Sequence, residues 1–174
     1  MARVLEQVKT IDTQVQGMIA ETNKREKRVK DEILERIYFN TKSISTILTN
    51  TRDHIQLHIR NPNERPWKEV TDAITRPDNP DASLIATTER LGREITADFR
   101  LIAFLVNNTN LISANFWNKY VYLTIFELQN VVGLNNPRDS QRMQNVQRGL
   151  EQKIDHLKEA LSLIEKEAER RLIK

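Results

Sequence analysis

The stretch that decides the fold runs from Leu101 to Asn136 and reads LIAFLVNNTNLISANFWNKYVYLTIFELQNVVGLNN. It carries only two charged side chains, Lys119 and Glu127, in a chain whose residues are 29% charged. Most of the aromatic side chains of the protein lie in it or at its edge. A helix that is apolar on nearly every face is a buried one. The rest of the chain is therefore predicted to pack around this stretch.

A membrane span is the first alternative for so apolar a segment. A transmembrane helix needs about 20 consecutive, mostly apolar residues. The longest uninterrupted run here, Leu101–Val106, is far shorter, and Asn107, Asn108 and Asn110 follow it. The pattern therefore favours a core helix and predicts no membrane span.

The helix-breaking residues mark only two joints in the 174-residue chain, whose five prolines are Pro62, Pro66, Pro77, Pro80 and Pro137. Proline ends or kinks a helix, so the long stretches without it predict long helices. No segment shows the alternation of a strand. The fold class predicted is all-α: an elongated antiparallel helical bundle with long, coiled-coil-like helices, forming one domain over 1–174.

Four helices are predicted within that domain. They cover 2–60 (one long helix, or two in line with a break near Asn40–Ser43), 66–75, 82–134 and 138–173. The third contains Asn107–Asn110, a weak helix former that indicates a turn or a kink, and a helix that continues or restarts at once is favoured. Since two neighbours cannot cover every face of so apolar a helix, self-association is also predicted.

The first helix opens with a narrow apolar stripe, formed by Val4, Val8, Ile11, Val15 and Met18. The alternating spacing of four and three residues is that of a coiled coil. The charged run Glu21–Glu32 follows, which offers little for a core to contact. We therefore expect this first part to project from the bundle and to bind the same region of another subunit, or a different protein.

Basic residues are densest just after the stripe, at Lys24, Arg25, Lys27, Arg28 and Lys30. Such a cluster can contact the phosphates of nucleic acid. Acidic residues are interleaved with it, and runs of both signs are typical of a solvated helix face. The solvated face is the favoured interpretation, and nucleic-acid contact is the alternative.

Aromatic residues cluster in the second half of the central stretch, at Phe116, Trp117, Tyr120, Tyr122 and Phe126. Platforms that stack bases usually combine aromatic with basic side chains, and only Lys119 lies among these. Core packing is therefore favoured. A protein contact is the second interpretation, and an apolar ligand such as a lipid is a third.

Catalytic chemistry finds no support in the sequence. The chain has no cysteine, which excludes disulfides and thiolate catalysis, and it contains no glycine-rich phosphate loop or nucleophile elbow. His54 and His58 lie one helical turn apart, but catalytic zinc normally needs three protein ligands. We predict no catalytic, cofactor or metal site.

These expectations combine into a non-enzymatic assembly or interaction protein: a scaffold, an adaptor or a structural component of a larger particle. The alternatives are a nucleic-acid-associated accessory subunit and a bundle that binds a lipid or another apolar ligand. The charged N-terminus, MARVLEQVKTID, does not resemble a signal peptide. An intracellular protein is therefore expected.

Overall fold

The computed structural model describes residues 2–106, 114–134 and 140–172 of the chain. Within these ranges the helices are, in order, α1 Ala2–Arg60, α2 Trp67–Thr75, α3 Leu84–Val106, α4 Ala114–Val132 and α5 Ser140–Leu172, with a short 3-10 helix, Pro80–Ala82, before α3. No strand occurs in the part of the chain that the structure describes. The predicted all-α fold, an elongated antiparallel helical bundle, is confirmed.

The four long helices form a closed ring in which α1 packs against α3 and α5, and α4 packs against the same two helices. Neighbours run in opposite directions. On α1 and α3, Arg36 pairs with Asp98 while Asn40, one turn later, bonds to Glu94, one turn earlier. The short helix α2 contacts α1, α3 and α4. Over the described residues the chain therefore forms an up-and-down four-helix bundle, and the first part of α1 extends beyond it.

The central stretch departs from its prediction. A helix over 82–134 that continues through Asn107–Asn110 or restarts at once was favoured, and the structure has two helices, α3 and α4, packed side by side. The Asn107–Asn110 segment lies outside the described residues. Close packing explains why α3 and α4 lie side by side. At Gly92 on α3, the side chain of Val121 on α4 occupies the space that a Cβ would need. The apolar stretch thus covers much of its own surface, and the uncovered central helix no longer supplies a reason for self-association.

The long helix α1 is continuous, so the alternative of a break near Asn40–Ser43 is not what the structure shows. Hydroxyl groups there bond within the helix: Thr41 Oγ1 donates to the carbonyl of Ile37 at 2.7 Å, and Ser43 Oγ donates to that of Phe39 at 2.9 Å. The Asn40 side chain donates to Glu94 on α3. These hydroxyls share carbonyls of the preceding turn, a local competition that can bend a helix but that leaves α1 unbroken here.

The core of the bundle takes its α1 contribution from a regular heptad row. Ile37, Ile44, Leu48 and Ile55 are at most 1% exposed. The helix α5 contributes an apolar stripe to the same core, which consists of Met143, Val146, Leu150, Ile154, Leu157 and Ile164, all buried. Each helix thus presents one apolar stripe to the centre, as a bundle requires.

Two polar contacts fix the joint between α1 and α3. His58 Nδ1 donates to the carbonyl of Arg65 at 2.6 Å, and its ring packs edge-on against Trp67. Ser83 Oγ accepts the N–H of Ala86 at 3.1 Å, which caps the N-terminus of α3. These contacts pair His58 and Ser83, whereas the buried Nε1 of Trp67 has no hydrogen-bond partner among the described residues.

Candidate interaction surface

The N-terminal half of α1 lies outside the bundle. Every side chain from residue 4 to residue 29, here called the projecting segment, is exposed, and burial begins only at Lys30 and Asp31. At 1.5 Å per residue these 26 residues extend about 39 Å. The first stretch of the chain is therefore a helix with solvent on all its faces.

The N-terminal stripe, which consists of Val4, Val8, Ile11, Val15 and Met18, lies on this segment. Its side chains are 63%, 58%, 59%, 46% and 70% exposed, respectively. Clusters of exposed aliphatic side chains on a regular helical row are uncommon on monomers and mark contact surfaces. The stripe is therefore a candidate contact surface.

Two further aliphatic residues widen the stripe. Leu5 and Ile19 are 59% and 54% exposed and lie beside it, one at each end. Both occupy the e position when the stripe residues are assigned to a and d. Sequence reasoning restricted to the a and d positions missed them, and extending it to e would have found them. A row of a, d and e residues gives a broader apolar face than the a and d positions alone.

The basic cluster lies at the base of the projecting segment, near the bundle. Arg25 pairs with Glu21 at 3.4 Å and Arg28 with Glu32 at 3.3 Å, both as exposed pairs one turn apart. At 100° per residue the five basic residues spread over roughly 220° of the helix circumference, although neighbours three or four positions apart share a side. The arrangement therefore does not gather the five cations on one face.

The aromatic group is only partly described. Tyr122 and Phe126 lie on α4 and are 71% and 48% exposed, so the predicted core packing is wrong for these two. The buried side of α4 is instead formed by Val121, Thr124 and Leu128, which leaves the neighbouring positions facing outward. The side chains of Phe116, Trp117 and Tyr120 lie outside the described part of the structure.

A groove of about 700 Å³ runs between α3 and α4 beside Tyr122. Gly92 and Val121 line it together with the basic residues Arg93 and Arg100. Arg93 is near Glu89, 3.9 Å away, which partly offsets its charge. Tyrosine and arginine are enriched at protein contacts, so this groove is a secondary candidate surface.

A second groove, of about 600 Å³, opens between α1 and α5 where the projecting segment leaves the bundle. Its apolar floor includes Leu34 and Ile164, which are 3% and 1% exposed. Four carboxylates surround the floor: Asp31, Glu35, Glu165 and Glu169. The surface next to the basic cluster is therefore acidic.

Glu127 is a half-buried titratable group on α4 whose surroundings shift its pKa. Among the residues that the structure describes, no cluster of three or more histidine and acidic side chains is arranged to hold a metal ion. Burial raises the pKa of Glu127, an effect that nearby Lys153 and a hydrogen bond with Asn130 partly oppose. Glu127 lies on α4 against Gly149 of α5, far along the chain from the stripe.

The predicted site residues therefore do not converge on one site. The stripe and the basic cluster share the projecting segment, whereas Tyr122 and Phe126 lie on the bundle. Within residues 2–106, 114–134 and 140–172, none of the helices combines the length and the apolar character that crossing a membrane requires.

No protein-family model matches this chain, and no curated protein or solved structure matches it either.

Proposed function

We propose that this chain is a non-enzymatic interaction protein that joins a larger assembly through the projecting segment of α1. The observation that carries the proposal is the row of exposed aliphatic side chains on a helix that has left its own bundle. Five stripe residues and their neighbours Leu5 and Ile19 are 46–70% exposed. Leaving that surface in water is unfavourable by about 25 cal/mol per Å², so a partner that covers it would bind.

The form of the surface indicates the form of the partner. Rows of apolar a and d residues insert between the side chains of a facing helix. The stripe also lies on the side of α1 that enters the core further along, rotated by roughly 50° at 3.6 residues per turn. A helix bound to the stripe would therefore continue the bundle beyond its end, so the partner is expected to supply an amphipathic helix.

The test is a paired charge substitution in the full chain. Val8→Asp with Ile11→Asp is expected to dissociate the assembly, because two carboxylates would be buried in an apolar contact. Circular dichroism should show nearly unchanged helix content, since neither side chain contacts the bundle. Light scattering reports the mass, and Thr13→Asp with Gln16→Asp, on the opposite face of the same helix, is the matched control.

Two results would contradict the proposal. One is global unfolding of the Val8→Asp, Ile11→Asp variant as a monomer, which would place the stripe in the core of the fold. The other is an assembly whose mass responds equally to this variant and to the control pair. In that case association would depend on some other surface of the molecule.

Nucleic-acid association is a second candidate, and the observation in its favour is the position of the basic cluster on an exposed helix. If the cluster contacts phosphates, binding to duplex DNA should weaken steeply with salt. Replacing Lys24, Lys27 and Lys30 by Gln should then flatten that dependence. No binding at low salt would eliminate this candidate, and the ion pairs of Arg25 and Arg28 argue for that result.

A further inference from the structure

The heptad positions of the projecting segment constrain how two copies of it can pair. Val8 and Val15 occupy a, whereas Val4, Ile11 and Met18 occupy d. Antiparallel coiled coils place a residues against d residues, and parallel ones place like positions together. Both arrangements can bury the stripe, so the charged residues near it decide between them.

A parallel, in-register pair brings like charges together. Arg25 occupies the d position that follows Met18, so it would face Arg25 of the second copy in the centre of the contact. At the flank, Glu21 at position g would approach Glu26 of the other helix at position e. Like charges at such positions destabilise pairing. The sequence of the segment thus disfavours the parallel arrangement.

An antiparallel pair with its two-fold axis near residue 13 avoids these contacts. Ile11 then faces Val15 of the other copy, Val8 faces Met18, and Val4 faces Thr22. On the e flank, Leu5 of one helix lies beside Ile19 of the other, which accounts for both residues that widen the stripe. Arg25 falls beyond the end of the paired region.

The length of the segment fits the same arrangement. In this register Val4, the first stripe residue of one copy, lies beside Thr22 of the other, whereas burial in the bundle begins at residue 30. Two projecting segments can therefore overlap along the whole stripe without collision between the bundles. From the exposed fractions of its seven aliphatic side chains, a symmetric pair would remove roughly 1,400 Å² from water, within the ~1,200–2,000 Å² of stable interfaces.

We propose that the partner of the N-terminal stripe is a second copy of this chain, paired antiparallel about residue 13. The inference rests on the proposed function, because it assumes that the stripe is the contact surface. The resulting dimer has its two four-helix bundles at opposite ends of a short two-helix rod. One unfavourable contact remains at its centre, where Asp12 faces Asp12 of the second copy on the e flank.

Distance measurements between spin labels test the arrangement in the full chain. The protein has no cysteine, so one introduced cysteine takes one label per subunit. Thr13→Cys and Lys27→Cys both place the label on the outer face, at position f. With a rise of 1.5 Å per residue and helix axes 8–10 Å apart, the antiparallel dimer predicts about 20 Å between labels at position 13 and about 45 Å at position 27.

Charge-removing variants provide an independent readout. Asp12→Asn should lower the dimer dissociation constant, because it removes the one like-charge contact of the antiparallel pair. In a parallel pair Asp12 would face Gln7, and Glu26→Gln would be the variant that tightens the dimer. Tightening by Asp12→Asn alone supports the inference, and tightening by Glu26→Gln alone overturns it.

The outcomes separate this inference from the function on which it rests. Short and equal distances at both positions would mean a parallel dimer, which contradicts the inference but leaves the stripe as the contact surface. A wild-type chain that stays monomeric at high concentration excludes a second copy as the partner. A dimer that survives Val8→Asp with Ile11→Asp would contradict the proposed function itself.

Discussion

The two halves of α1 carry the same heptad pattern but differ completely in their surroundings. In the half within the bundle, Ile44, Leu48 and Ile55 are at most 1% exposed. In the projecting segment, Val8 and Ile11 occupy equivalent positions and are 58% and 59% exposed. Both halves belong to one continuous helix. The pattern thus identifies the face of a helix that favours burial, whereas the fold determines whether this chain covers it.

The surroundings of α1 change near residue 30, where its side chains begin to be buried against α3 and α5. Core side chains on α1 begin at Ile33 and Leu34, and the pair of Arg36 with Asp98 joins α1 to α3 just beyond them. Before that point the charged run Glu21–Glu32 separates the two halves. The comparison predicts that substitutions in the bundle half change the stability of the fold, whereas substitutions in the projecting half change association.

The largest expected effect comes from a cavity in the bundle half. Leu48→Ala should lower the free energy of unfolding by about 2–5 kcal/mol, because a fully buried side chain is truncated. Ile11→Ala in the projecting half should change it by less than about 0.5 kcal/mol, as is usual for exposed positions. Urea denaturation followed by circular dichroism, at protein concentrations too low for association, measures both.

Equal losses in the two variants would remove the basis of the comparison. They would mean that the projecting segment packs against the bundle of its own chain in solution. A small loss of unfolding free energy for Leu48→Ala and a large loss for Ile11→Ala would mean that the projecting half, and not the bundle half, stabilises the fold.

Ion pairs in the two halves provide a second contrast. Arg36 binds the nearly buried Asp98 through two hydrogen bonds, at 2.8 and 3.2 Å. Arg36→Ala should cost about 1–3 kcal/mol, because it leaves a carboxylate with little access to water and without its partner. Arg25→Ala removes the exposed pair with Glu21 and should cost no more than about 0.5 kcal/mol. Thermal denaturation at low and high salt distinguishes a weak exposed pair from a nearly buried one.

The sequence predicted the helices better than their arrangement in space. The heptad rows of α1 and the apolar stripe of α5 follow from periodicity, which is a local property of the chain. The reversal between α3 and α4 does not, because its evidence is the fit of Gly92 to Val121, residues distant in sequence. A glycine within a helical pattern indicates a close approach but does not identify the group that approaches.

The candidate surface was predicted in the same uneven way. The stripe and its exposure follow from the charged run behind it, which no core could accept. The exposure of Tyr122 and Phe126 could not be predicted, since an apolar stretch does not show which of its faces a neighbour covers until the helices are packed. Their aromatic character predicted core packing equally for all five residues of the aromatic group, so it could not single out the two that are exposed.

Two helix-interior glycines extend the comparison to the backbone. A Cβ at Gly92 would overlap the side chain of Val121, whereas a Cβ at Gly17 would meet no atom within 4 Å. Gly92→Ala should therefore destabilise the fold by about 1–3 kcal/mol through overpacking, reduced by the better helix propensity of alanine. Gly17→Ala should stabilise the helix by about 0.5–1 kcal/mol. Thermal circular dichroism should show changes of opposite sign, and a loss of stability in Gly17→Ala would mean that its surface is packed.

The smallest expected effect concerns Glu127, whose surroundings contrast with those of the exposed carboxylates on the projecting segment. Glu127 is half-buried between α4 and α5, and the loss of hydration raises its pKa. A carboxyl group whose pKa is higher in the folded state stabilises the fold when protonated. That contribution is complete below the unfolded-state pKa and is lost as the pH rises through the folded-state pKa. Glu127→Gln should therefore be more stable than the wild type at neutral pH.

The advantage of Glu127→Gln should shrink as the solution is acidified, because the wild-type carboxyl then becomes neutral as well. Unfolding by urea at a series of pH values measures the difference between the two proteins. Glu6→Gln, on the projecting segment, is the control for the loss of one negative charge in general. An advantage that stays constant down to acidic pH would show that Gln packs better and that burial of the charge is not its cause. A loss of stability at neutral pH would mean that the attraction to Lys153 and the hydrogen bond with Asn130 outweigh the cost of burial.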